Sequence, residues 1–289
     1  MALGEMSEIY TVDISSEQRL IACGGRDDSW AVLSIDTGET VFLKERYSDS
    51  VIFARFVGDG IIVATLDGCI YKYNRDFSDK CRIELGQDIS FIEIKDQVLY
   101  AATDLVYLFS LDLELQSTAC HHASGVTHVA VENGILYTIS ETLMQASCCR
   151  SGSALFSVWV NGGGAMCVSK SGLLCAQTDS MELSIFLGSK LLRKIELDDN
   201  VEAIACFHNN FLVGGYFNYL LIISTNASFC MQKVRFDEEV GGVSKIHIMD
   251  DGAVIFSTLD GKIDDTFLLL GGEHGVCVML VQDILADVA

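Results

Sequence analysis

The chain has 289 residues, half of them hydrophobic, and sets 40 acidic against 19 basic residues for a formal net charge of −21. That length allows one large domain or two ordinary ones, and its apolar runs, such as VCVMLV at 276–281, fall far short of a bilayer span. The charge argues against nucleic acid as a direct partner, because phosphate binding depends on Lys and Arg, and favours a basic protein or peptide.

The opening MALGEMSEIY has two glutamates and no basic stretch, so it does not read as a secretory signal. A soluble, cytoplasmic monomer without membrane contact is expected, with the nucleus as a second compartment. Eleven cysteines include no C-x-x-C pair. Cys23, Cys69, Cys167, Cys175, Cys206 and Cys277 fall in or beside apolar runs, where a free thiol behaves as a small hydrophobe of a reducing compartment. Proline is absent, so Gly, Asp and Asn must make the corners. Nothing resembles an interdomain linker, and a single domain over 1–289 is expected.

Along the chain, short runs rich in Val, Ile, Leu, Tyr and Phe alternate with Gly/Asp/Asn corners, which is the pattern of strands. Units of this kind begin near Tyr10, Val51, Ile89, Val126, Ala165, Val201 and Val243, roughly forty residues apart. The second unit shows the template: VIFARFVGDG, IIVATLDG, CIYKYN and CRIELGQD are four successive strands with their turns. The third repeats it as ISFIEIKDQ, VLYAATD, LVYLFSLD and LQSTACHHASG, and the sixth as VEAIACFHN, NFLVGGYFN, YLLIISTN and FCMQKVRFDEEVGG. The stretch ATLDGCIYKYN at 64–74 returns as STLDGKIDDTF at 257–267. TLDG is the turn between second and third strands, where Asp tolerates the geometry and Gly supplies positive φ. The predicted fold is therefore all-β: a WD40-like β-propeller of seven four-stranded blades, with an eighth possible. Residues 273–289 would close the ring or begin a further blade. Helical periodicity is confined to the terminal VQDILADVA, and the first strands, such as VEAIACF and FARFV, are expected to be small and apolar where they line a central channel.

The DG-x-I-x-x-[YW] pattern resembles WD-repeat blades, although the Trp-Asp signature is largely gone and the chain has two tryptophans, Trp30 and Trp159. CGGRDDSWAVLSIDTGE, SDSVIFARFVGDGIIVATLDGCI and the stretch from Asn200 to Gly272 resemble repeats of the angio-associated migratory cell protein family. Blades three to five resemble it only loosely; members of that group usually carry an acidic amino-terminal extension and an extra repeat, whereas this sequence opens close to its first strand and leaves the blade count open between seven and eight. The resemblance implies a non-catalytic escort of a basic ribosomal protein, because the yeast counterpart shields a uL16-type client until large-subunit assembly. The alternative is a WD-repeat scaffold subunit of a larger assembly.

In a propeller, the second-to-third loops and the blade-to-blade loops emerge on one face. The former carry Asp27, Asp28, Asp67, Asp104, Glu141, Asp179 and Asp260; the latter carry Asp49, Asp88, Asp198, Asp199, Asp237, Glu238 and Glu239. Few bases interrupt them, chiefly Arg26 and Arg46. These acids, with Trp30, Tyr47 and Phe217 as rings that could cap Lys or Arg, are the expected partner-binding residues; Tyr216 and Tyr219 are neighbouring rings. Turn conformation alone accounts for many Asp residues in such loops, as core packing does for the aromatics.

Catalytic readings are weak. His121, His122 and His128 in HHASGVTH lack a completing carboxylate or thiolate at ligand spacing. NGGGAM at 161–166 lacks the Lys-Ser/Thr of a phosphate loop, and Cys148–Cys149 has no histidine partner. No enzyme activity, cofactor or metal is expected.

Overall fold

The computed structural model describes residues 9–15, 17–26, 28–34, 36–37, 39–44, 47–207, 210–226, 228–235, 242–248, 253–258 and 276–280. Every regular element among them is a β-strand. The terminal VQDILADVA and the turn within the second TLDG copy lie outside them.

The strands form antiparallel sheets in which chain neighbours pair. The first sheet is β1 (Ile9–Ser15), β2 (Leu20–Gly25), β3 (Trp30–Ser34) and β4 (Thr40–Lys44); the second is β5 (Val51–Val57), β6 (Gly60–Thr65), β7 (Cys69–Tyr73) and β8 (Asp79–Glu84). The third comprises β9 (Phe91–Lys95), β10 (Val98–Ala102), β11 (Leu105–Ser110) and β12 (Leu115–His121). The fourth comprises β13 (His128–Glu132), β14 (Ile135–Ile139), β15 (Leu143–Cys148) and β16 (Ala154–Trp159). The fifth is β17 (Met166–Val168), β18 (Leu173–Asp179), β19 (Glu182–Leu187) and β20 (Lys190–Glu196). The sixth is β21 (Val201–Phe207), β22 (Asn210–Gly215), β23 (Tyr219–Ser224) and β24 (Met231–Arg235). The seventh holds three strands among the described residues: β25 (Val243–Ile248), β26 (Ala253–Thr258) and β27 (Val276–Leu280). β27 pairs with β26, so the late run VCVML supplies the third strand of this sheet.

Sequence pattern explains position within each sheet. Second strands such as β6, GIIVAT, are buried at every residue and read as continuous apolar runs because both faces are covered. Fourth strands such as β8, DKCRIE, alternate exposed and half-buried residues, as strands with one covered face do.

The chain divides into two compact units, 1–88 with 234–289, and 89–233. In the first, the facing sides of the first two sheets enclose Ala22, Trp30, Val32, Val51, Ile61, Val63 and Tyr73. The Trp30 ring lies 5.1 Å from Phe42 and 5.1 Å from Tyr73. Polar side chains of β1 stitch it to β5: the Ala54 amide donates to Thr11 Oγ1 at 3.2 Å and the Phe56 amide to Asp13 Oδ2 at 2.8 Å. β25 lies against β1. In the second unit, β9, β13, β17 and β21 lie side by side in that order. Successive sheets enclose Tyr100, Val106 and Leu136, then Tyr137, Ile139, Met144 and Phe186, then Leu173, Cys175, Ile185 and Phe211.

The first strands differ from the expectation that they are small and apolar throughout. They carry Asp13, Arg55, Glu93, Lys95 and Glu132, and Lys95 pairs with Glu132 across β9 and β13 at 2.9 Å. Each first strand is a sheet edge, and charged side chains are a usual protection for an unpaired edge.

Gly68 sits in the TLDG turn at φ 93°, and a Cβ there would run into the carbonyl oxygen of Gln87. Gly68→Ala combines strain with a backbone clash and should cost roughly 2 kcal/mol or more, read as a lowered urea midpoint.

Candidate protein-binding loops

In the first unit, backbone bonds tie the predicted loops into one continuous end. The Tyr47 amide donates to the Asp28 carbonyl at 3.0 Å, the Leu66 amide to the Ser50 carbonyl at 2.9 Å, and the Leu85 amide to the Gly68 carbonyl at 3.0 Å. Asp28, Asp49, Asp67 and Asp88 therefore share that end. Asp28 adopts a positive φ of 58°, which Asp tolerates better than most residues. Asp49 accepts from the Ser50 amide at 2.7 Å, which is turn chemistry. Asp67 accepts from the Thr65 hydroxyl at 2.5 Å. Asp88 is exposed.

The second unit repeats the arrangement. The Val126 amide donates to the Thr103 carbonyl at 2.8 Å, the Gly162 amide to the Glu141 carbonyl at 2.7 Å, the Leu197 amide to the Met181 carbonyl at 2.9 Å and the Tyr216 amide to the Asn200 carbonyl at 3.0 Å. Asp104, Glu141, Asp179, Asp198 and Asp199 thus lie at one end of this unit. Asp104 and Glu141 are exposed. Asp199 caps the Asn200 amide at 2.8 Å. Asp179 accepts from Asn161 Nδ2 at 3.1 Å, and that bond, followed by the Ser180 amide, holds its carboxyl below the ordinary value. Asp198 accepts from Lys233 at 2.6 Å and from the Tyr219 hydroxyl at 2.6 Å, while the Lys233 ammonium stands 4.2 Å from the centre of the Tyr219 ring.

Among the described loops at these acidic ends Arg26 is the base; the opposite ends mix Glu17, Asp36, Glu39, Asp59, Asp76, Asp96, Asp112 and Glu114 with Arg19, Arg75, Arg150 and Lys170. Asp27, Asp237, Glu238, Glu239, Asp260 and Arg46 lie outside the described residues.

The three expected ring residues serve the interior. Trp30 is 0% exposed and donates its Nε1–H to the Tyr47 hydroxyl at 2.7 Å; that hydroxyl also bonds Tyr73. Phe217 is 5% exposed and stacks on Tyr219 with centroids 4.4 Å apart. Apolar residues that open a third strand look alike in sequence whether they cap a ligand or fill a core. The exposed rings among the described residues are Tyr216, in the loop between β22 and β23 at the acidic end, and Trp159, which at the end of β16 is 81% exposed. Sequence reasoning passed over the latter, although β16 is an outer strand without a charged residue.

The histidine cluster does not converge. His122 is buried with Nε2 2.8 Å from Thr138 Oγ1, and the His128 ring stacks on Phe91 at 3.6 Å. Among the described residues no group of three or more His, Cys, Asp or Glu is arranged to hold a metal. Burial pushes the Cys167 and Cys175 thiols up, and Cys206 up to about 11, which makes them poor nucleophiles.

With this geometry in hand, comparison with known proteins gives the class. Residues 7–279 match the WD40-like domain, and the chain belongs to that family. Its fold is the all-β WD40-like propeller. Solved structures with this fold include Sqt1 from Chaetomium thermophilum bound to the N-terminus of the ribosomal protein L10, 16% identical, with a TM-score of 0.74 over 88% of this chain and 83% of that one. Sqt1 from Saccharomyces cerevisiae is 14% identical, with a TM-score of 0.72 over 89% of this chain and 82% of that one. No curated protein matches the sequence.

Burial opposes ionisation of Asp67, but hydrogen bonds from Ser48, Thr65 and the Cys69 amide outweigh it and lower the carboxyl's pKa. A folded-state value below the unfolded one stabilises above the ordinary Asp range, and that contribution is lost as pH falls through the folded value. Asp67→Asn should therefore cost roughly 1 kcal/mol at pH 7, and its deficit should shrink in urea unfolding below about pH 3.

Proposed function

We propose that the protein is a non-catalytic escort for a basic segment of a large-subunit ribosomal protein, held by the acidic loops. The observation that carries this reading is the placement of charge: at one hydrogen-bonded end of each unit the described loops set their carboxylates against a single base, Arg26, and Asp88, Asp104 and Glu141 stand exposed there. A shared fold with Sqt1, whose structure holds the N-terminus of L10, supports the choice of client. The reading places the protein in the cytoplasm, with the nucleus as a second compartment. It needs neither cofactor nor metal, because recognition is by charge and shape.

Long-range attraction from a net charge of −21 speeds encounter with a cationic client. Exposed carboxylates contribute modestly one by one. Affinity arises from their number and from a fixed loop frame that loses little entropy on binding.

A scaffold role in a permanent assembly is favoured by one observation, the apolar outer strand β16. The two roles separate by salt. A client held by exposed charges is lost on raising ionic strength, as the screening length falls from about 10 Å at 0.1 M to about 3 Å at 1 M; a subunit held by an apolar interface stays.

With a synthetic peptide of the L10 N-terminus, titration calorimetry should show affinity falling at least roughly tenfold between about 0.05 and 0.5 M salt. Asp104→Lys with Glu141→Lys should weaken binding roughly tenfold or more, and Asp88→Lys severalfold, without moving the thermal midpoint. Parent-like binding by both charge-reversal variants would sink the reading.

A further inference from the structure

Outer strands of these sheets are unpaired on one side, and most are charged. β8 carries Asp79, Lys80, Arg82 and Glu84; β20 carries Lys190, Arg193, Lys194 and Glu196; β24 carries Lys233 and Arg235. Such charges deter a foreign strand from pairing. β16, ALFSVW, has none. Its neighbour in composition, β12, also lacks Asp, Glu, Lys and Arg and exposes Leu115, but follows it with Gln116, Ser117 and Thr118 in solvent. β16 instead presents Leu155, Ser157 and Trp159 on one face, with Leu155 53% and Trp159 81% exposed. Phe156 and Val158 alternate with them and pack on the core. A large indole in water on an unprotected edge is unfavourable for a protein that works alone.

Beyond the indole the backbone runs into the acidic loops. Trp159 pairs with Leu143, the Val160 amide donates to the Thr142 carbonyl at 3.1 Å, and the Gly162 amide donates to the Glu141 carbonyl at 2.7 Å. The next residue, Asn161, holds Asp179. The strand that bears the exposed ring thus leads directly into a connection bonded to Glu141 through its backbone and to Asp179 through Asn161.

We propose that the free edge of β16 takes an extended stretch of the basic client as an added strand, with a cationic side chain over Trp159 beside Glu141 and an aliphatic one over Leu155. This rests on the escort reading and extends its site from the loops down one sheet edge. Main-chain pairing supplies the register and alternate side chains the selection, as in other strand-addition complexes. The occupant is a basic segment rather than a second copy for two reasons. Two copies would bring −21 against −21, and a contact one short strand long falls well below the roughly 1,200 Å² of a stable interface between folded chains. A segment already tethered at the acidic loops needs no such area, because its second contact is intramolecular.

The two tryptophans make the test direct. Trp30 is enclosed, so emission open to acrylamide comes from Trp159. Saturating L10 N-terminal peptide should cut the quenching constant at least roughly twofold. Trp159→Ala should weaken peptide binding roughly fivefold; Ser157→Lys should weaken it as much or more, while Ser157→Glu binds at least as tightly as the parent. All three should keep the parent thermal midpoint. Peptide binding that leaves Trp159 fully quenchable, with Trp159→Ala equal to the parent, overturns the edge site and leaves the escort reading standing. No peptide binding by the parent overturns both. Protection of Trp159 that grows with protein concentration in the absence of peptide assigns the edge to a second copy and overturns the proposal.

Discussion

A sheet whose second strand is buried on both faces cannot stand alone. β6 and β18 are buried along nearly their whole length, so such a sheet requires cover on both faces, and within each unit the stability of one sheet is conditional on the next. The sizes of the enclosed side chains follow from this. Trp30, Tyr73, Ile139 and Phe211 fill the space between consecutive sheets rather than the interior of any one. Removing such a group leaves a cavity felt by two sheets.

The same stacking makes the loop ends rigid. Connections that would otherwise be mobile are hydrogen-bonded to their neighbours, as Leu66 is to Ser50 and Tyr216 to Asn200. Carboxylates on such a frame are held at fixed spacings before any client arrives. Some of them also serve the frame itself: Asp49 and Asp199 cap adjacent amides, and Asp67 holds Thr65. On the escort reading, turn chemistry and client recognition would draw on the same residues, so changing one of these acids would disturb the turn as well as the proposed site.

Much of the fold was legible in the sequence because strand period and turn chemistry are local. Val51, Val201 and Val243 open β5, β21 and β25, and the TLDG turn joins β6 to β7 where it was expected. Long-range facts were not legible. The third strand of the seventh sheet comes from Val276–Leu280, after a long separation from β26 that no local rule specifies. Register could place Asp198 at the loop end, but not reveal that Lys233, thirty-five residues on, already rests against it. Trp30 and Trp159 show the limit plainly. Both end or begin a strand in apolar company, and only the covering by Tyr47, Phe42 and Tyr73 separates the enclosed one from the bare one.

The lysine on Asp198 bears on local charge. Its ammonium occupies the carboxylate and overlies the Tyr219 ring at once, so a negative charge at this corner is already met from within the chain. Lys233 thus offsets a carboxylate that loop position alone would credit in full to the acidic end, and the field around these loops is set more by Asp104 and Glu141 than by Asp198.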